Sequence, residues 1–102
     1  MNKPVVTTPT TDHQIREIDD WWRENRGKSP DLFAEELALA FRMLEAAPGI
    51  GRRYPHPGAL VRRVLLRASR NHVYYVEEER QVVIVAVWGA IKGSGPDLSC
   101  LK

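Results

Sequence analysis

"ALVRRVLLRASRNHVYYVEEERQVVIVAVWGA", residues 59–90, decides the fold. It holds three short runs rich in valine, leucine, isoleucine and tyrosine, side chains that suit a pleated, half-buried surface. The first run reaches Ser69, Arg70 and Asn71 turn the chain into "HVYYVEE", and a turn near "EEER" leads into "RQVVIVAVWGA". Connections this short permit only antiparallel hairpins. Three consecutive strands of an antiparallel sheet are therefore expected.

Alternation over residues 60–69 puts Leu60, Arg62, Val64, Leu66 and Ala68 on one face, and Val61, Arg63, Leu65, Arg67 and Ser69 on the other. The first set is the better candidate core. On the second, Arg63 and Arg67 stand roughly 13 Å apart at a rise of ~3.3 Å per residue, so the face turned away from the core should be open and basic.

Upstream of the strands the period changes from two to three and four. Ile15, Ile18 and Trp22 line one face of a helix over residues 12–26, with Thr11 and Gln14 at capping-box spacing and Gly27 placed to end it in a left-handed conformation. Phe33, Leu37, Ala40, Phe41 and Leu44 make a second stripe, started by Ser29 and Pro30 and stopped by Pro48 and Gly49. A connection of about three residues forces these helices into an antiparallel hairpin. Ahead of them, "KPVVTTPT" reads as a short edge strand limited by its prolines, and "PGIGRRYPHPG", residues 48–58, reads as a surface loop. The expected order is β-α-α-β-β-β, class α+β, with the helical hairpin laid on one face of a small sheet.

At 102 residues the chain fits one domain, here 1–102, with glycines and a proline in "GAIKGSGPDL" suggesting a flexible tail over about 93–102. The N-terminus has no signal-peptide pattern and no apolar run is long enough to span a bilayer, which points to a cytoplasmic protein with no membrane partner. The lone Cys100 is given no role. Charge is uneven: residues 1–47 carry 6 Lys/Arg against 9 Asp/Glu, residues 48–102 carry 9 against 4. An anionic partner for the C-terminal half follows.

Several chemistries are excluded by spacing. Gly89, Lys92 and Gly93 do not have the order of a phosphate loop, and Pro96 blocks the helix such a loop needs. His13, His56 and His72 lie on a helix, a loop and a strand with no metal-ligand spacing, so neither a metal nor another cofactor is expected. A metal-free ribonuclease needs a base, a cation and an acid. His72, Tyr74 and Lys92 have chemistry suited to those roles.

Taken in order, "WWRENR", "SPDLFAEELALAFRMLEAAPGIGRRY", "VRRVLLRASRNHVYYV" and "VVIVAVWGAIKGSGPDL" resemble the ParE-like branch of the RelE/ParE toxin superfamily, toxins of type II toxin-antitoxin modules, over about residues 12–98. The resemblance implies a strand, a helical hairpin and an antiparallel sheet. It also implies a cognate ParD-like antitoxin and a toxin-antitoxin hetero-oligomer. RelE-like members cut mRNA on the ribosome with basic sheet residues and, in several, a C-terminal tyrosine, whereas ParE-like members poison DNA gyrase. No tyrosine follows Tyr75 in this chain, which favours gyrase as target and a non-enzymatic mode of action. Arg67 matches the position of a phosphate-contacting arginine of RelE-like members, and Lys92 lies near a second cationic position. The alternatives are a ribosome-dependent mRNA endoribonuclease and a detoxified module that only binds its antitoxin. On this reading Arg63, Arg67, Trp88, Ile91, Lys92, Pro96 and Leu98 are expected to meet the target. Trp21, Arg52, Arg53 and Arg62 are expected to meet the antitoxin.

Overall fold

The computed structural model describes residues 2–91 and 93–101. Strands β1 (Val5–Thr7), β2 (Arg52–Tyr54), β3 (Val61–Leu66), β4 (Asn71–Glu77) and β5 (Val82–Gly89) form one sheet in the order β1-β5-β4-β3-β2. Helices α1 (Pro9–Asn25) and α2 (Leu32–Ala46) follow β1 and cover one face. The α+β class and the helical hairpin on a mostly antiparallel sheet are as the sequence indicates. The β3–β4 and β4–β5 hairpins pair antiparallel, while β1 pairs parallel with β5, because the two helices return the chain to the sheet between them.

Helix α1 starts earlier than its spacing suggests. Thr8, not Thr11, is the cap: its hydroxyl accepts from the Thr11 amide, and Pro9 takes the first turn, where a missing N–H costs nothing. Thr11 instead lies inside the helix, fully buried, and its hydroxyl donates to the Ile84 carbonyl at 2.8 Å. Gln14 accepts from the Val87 amide rather than reaching back to the cap. Both polar side chains thus stitch α1 to β5, next to the bulge where the β4–β5 register slips between Tyr74 and Tyr75. The helix ends at Arg26 in a non-helical conformation, without the left-handed glycine expected at Gly27.

Residues 28–31 form turns rather than a helix start, so α2 begins at Leu32 with Asp31 as an N-cap whose side chain makes no capping hydrogen bond. Arg23 bridges Asp19 and Asp31 at 3.0 Å each and ties the two helices together. The segment expected as a plain loop contains a 3₁₀ turn (Pro48–Ile50) and β2, which pairs antiparallel with the first half of β3. Gly51 lies between them: a Cβ there would sit 2.5 Å from the Tyr75 hydroxyl, which accepts from the Gly51 amide and donates to the Pro48 carbonyl.

The main core joins Phe33, Leu37 and Leu44 of the helices to Leu66, Val73, Tyr75 and Ile84 of the sheet. At ~25 cal/mol per Å² of apolar surface, burying each such side chain contributes roughly 1.5–3 kcal/mol. Helix α2 is further tied to the β3–β4 turn by Glu36, which accepts from the amides of Ala68 and Ser69 and from the Ser69 hydroxyl. That turn carries Arg70 at φ 59, the only non-glycine residue with positive φ among the described residues.

Candidate functional site

The face of the sheet away from the helices is assembled by cross-strand register. Arg52, Arg63 and Tyr74 stand opposite one another in one row, and Leu65, His72 and Trp88 in the next. Arg63 sits over the rings of Tyr54 and Tyr74, at 5.1 and 5.9 Å from their centroids, and its Nη1 donates to the Tyr74 hydroxyl at 3.3 Å. Such stacking holds the guanidinium in place while leaving donors for an anion. The His72 imidazole is turned edge-on to Tyr74, and partial burial, then the nearby Arg63 charge, pushes its pKa below the ordinary value. Both effects favour the neutral imidazole.

Part of this face is covered. Residues 93–101, expected to form a free tail, run back across the sheet, and Leu98 is buried on Val61, Tyr74 and Ala86. Side-chain hydrogen bonds hold this strap. Trp88 Nε1 donates to the Ser94 carbonyl at 2.8 Å. His56 Nδ1 accepts from the Gly58 amide, which leaves the hydrogen on Nε2 to be donated to the Leu98 carbonyl at 2.9 Å. Gly95 passes so close to Tyr54 that a Cβ would lie 2.5 Å from its hydroxyl. The open face of the sequence reading is therefore half open, and Pro96 and Leu98, named as target contacts, are turned inward.

What remains uncovered is a groove of about 480 Å³ beside the strap, where Arg52, Arg63, Arg67 and His72 meet the exposed Leu65. Among the described residues its lining contains no carboxylate. Arg67 belongs to it, although from the turn after β3 rather than from the strand. Arg62 points the other way, donating to the Gly51 carbonyl, and Arg53 lies opposite it on β2. Trp21 is 48% exposed and lines a different groove, of about 580 Å³, with Trp22, Arg26, Arg70 and Ile91. Arg26 lies over both tryptophan rings, 5.5 and 5.9 Å from their centroids.

The expected antitoxin set is thus divided: Trp21 faces one groove while Arg52, Arg53 and Arg62 surround β2. The expected target set is divided too, with Arg63 and Arg67 in the basic groove, Ile91 beside Trp21, and Trp88, Pro96 and Leu98 at the strap. Lys92 lies outside the described residues. Sequence reasoning passed over Met43 and Ile50, which flank the basic groove, and Tyr54, which shelves Arg63. Met43 was readable as an apolar residue one turn from Leu39 and off the buried stripe of α2; Tyr54 was hidden by the prolines around it.

No group of three or more His, Cys, Asp or Glu residues able to hold a metal occurs among the described residues, and no described helix is long and apolar enough to cross a membrane. No curated protein matches the sequence. The fold is similar to that of a chain from the "Chromosomal ParDE TA system from P. aeruginosa", with a TM-score of 0.70 at 19% identity over 85% of this chain and 95% of that one. Residues 5–90 match the family described as "ParE toxin of type II toxin-antitoxin system, parDE". That span includes both helices, all five strands and the arginines of the groove, and the chain belongs to the ParE family of type II toxin-antitoxin toxins.

Proposed function

We propose that this toxin inhibits DNA gyrase and is neutralised by a cognate ParD-like antitoxin. The observation that supports this most is the family match over residues 5–90, since ParE-like members act on gyrase where RelE-like members cut mRNA. The chemistry of the far face agrees with binding rather than turnover. A phosphodiester cleavage needs a proton for the leaving oxygen. Tyr74 on this face is 2% exposed with its hydroxyl engaged by Arg63, while Tyr75 is fully buried on the helix side with its hydroxyl engaged by Gly51 and Pro48. Burial also raises the Tyr75 pKa, which makes it a poorer acid. What the face offers a partner is arginine forks and contact area.

One observation favours the second reading, a ribosome-dependent mRNA endoribonuclease. His72, neutral and able to accept a proton, shares a groove with Arg67 and two more arginines that could stabilise a phosphorane. Expression in a bacterial host separates the two readings. Growth arrest with induced DNA-damage signalling, relieved by co-expressing the antitoxin, is expected. Arrest with mRNA cleaved in the ribosomal A site and no DNA damage would promote the nuclease.

A further inference from the structure

Arg52 of β2 and Arg63 of β3 stand directly opposite one another. Like charges in that position destabilise an antiparallel pair. Nothing nearby offsets the cost: the ion pairs of the described residues join Lys3 to Glu77, His13 to Glu17, and Arg23 to Asp19 and Asp31, and none of these lines the basic groove. Arg67, just past the end of β3, adds a third charge to the same groove. Among the described residues the Arg52 and Arg67 side chains make neither a hydrogen bond nor an ion pair, while Arg63 is held by tyrosine rings. Three guanidinium groups gathered without an internal counter-ion match an external anion that carries several charges in a row.

The surroundings of the arginines select among such anions. An acidic peptide strand finds no ladder to join at the far end of β3, because the Leu66 carbonyl already accepts from the Arg70 amide at 2.8 Å and Leu66 is buried. Single-stranded nucleic acid binds largely by stacking its bases on exposed rings. The rings beside this groove are taken: Tyr74 is 2% exposed, and Arg63 lies over both Tyr54 and Tyr74. Duplex DNA needs no such platform, since its bases stay stacked inside while it presents one phosphate charge per ~1.7 Å of axis. Arginine forks fit phosphate oxygens bidentately. Leu65, exposed and set between Arg63 and Arg67 along the chain, offers deoxyribose an aliphatic contact.

We propose that the basic groove of Arg52, Arg63 and Arg67 takes the phosphodiester backbone of duplex DNA, independently of base sequence. The inference rests on the gyrase reading above, which names the duplex: the DNA that gyrase holds while this chain is bound. The chain then touches both the enzyme and its DNA, and the groove supplies the second contact.

The test is fluorescence anisotropy of a short labelled DNA duplex titrated with the purified full chain at several salt concentrations. Neutralising three phosphates predicts log K against log salt with a slope of about −2.7, or roughly a 40-fold loss of affinity for a fourfold rise in salt. Arg52→Gln and Arg67→Gln should each reduce that slope by about one, and together weaken binding about tenfold or more. Arg16→Gln removes the same charge from an exposed site on α1 and should leave the slope unchanged. No binding of duplex at low salt, a slope indifferent to both groove substitutions, an equal effect of Arg16→Gln, tighter binding of single-stranded DNA or RNA, or tighter binding of poly-glutamate would each overturn the proposal. Gyrase inhibited equally by wild type and by the double groove variant would sink the groove and keep the gyrase reading. Supercoiling untouched by a chain that binds duplex through the groove would do the reverse.

Discussion

On the helix side, the sheet buries Leu66, Val73, Tyr75 and Ile84 against Phe33, Leu37 and Leu44, a contiguous core in which the Tyr75 hydroxyl is anchored. On the opposite side, Val61, Tyr74 and Ala86 are covered by a strap that contributes Leu98, and arginines stand uncovered beside them. The same strands supply both faces, one residue out of phase. The two faces differ in how they meet water: one excludes it across two helices, while the other excludes it only under a short segment and keeps its charge available.

That contrast breaks most readily at its strong end. Leu44 is fully buried, and Leu44→Ala should cost about 4 kcal/mol through lost burial and an unfilled cavity. In a domain this small, thermal melting should fall by roughly 15–30 °C. A loss below 1 kcal/mol would mean that the helix face is not the foundation described.

Leu98→Ala tests the strap. Its side chain is 6% exposed but belongs to the smaller cluster, so a cost near ~2 kcal/mol, the low end for such a substitution, is expected. Hydrogen exchange should show residues 93–101 opening before β4. For the same reason, truncation after Gly89 would uncover Val61 and Tyr74, and any lost activity would mix unfolding with lost contacts.

Tyr75→Phe leaves the Gly51 amide and the Pro48 carbonyl without their partner and should cost about 1–2 kcal/mol. The same hydroxyl gives a pH signature. Burial raises the Tyr75 pKa above 10.0, so the folded state favours the neutral phenol. Stability from this group is fully present below pH 10.0 and is lost as pH rises through the folded value. Denaturant titrations above pH 10.0 should therefore show a fall in wild type that Tyr75→Phe reduces.

The smallest structural effect is expected at Arg67. It is exposed in the β3–β4 turn, and Arg67→Ala should change stability by less than about 0.5 kcal/mol while weakening partner binding. A destabilised Arg67→Ala would blur the division between the faces.

Much of this was legible because it is local. The stripe of Phe33, Leu37, Ala40 and Leu44 has helical period, and alternation along β3 correctly parted Val64 and Leu66 from Arg63 and Leu65. What escaped depends on distant partners. β2 is a strand only because Arg52–Tyr54 meets residues 61–63, and the sequence on either side of it is broken by glycines and prolines. The strap is buried only because Val61 and Tyr74 leave room for Leu98. Among the threonines before α1, Pro9 marks the first turn and so Thr8 as the cap; the capping-box spacing of Thr11 and Gln14 competed with it, and tertiary bonds to β5 claimed both residues. Arg67 was assigned to the right face but not to the turn, since β3 stops at Leu66 where the hairpin closes through Arg70.

If the chain acts by binding gyrase, as proposed, the effect should appear when purified gyrase supercoils relaxed plasmid in the presence of saturating chain. Supercoiling should fall with added chain and recover when the antitoxin is supplied. Full supercoiling at saturation, together with A-site mRNA cleavage that disappears in Arg67→Ala, would contradict the account and make the basic groove a nuclease site.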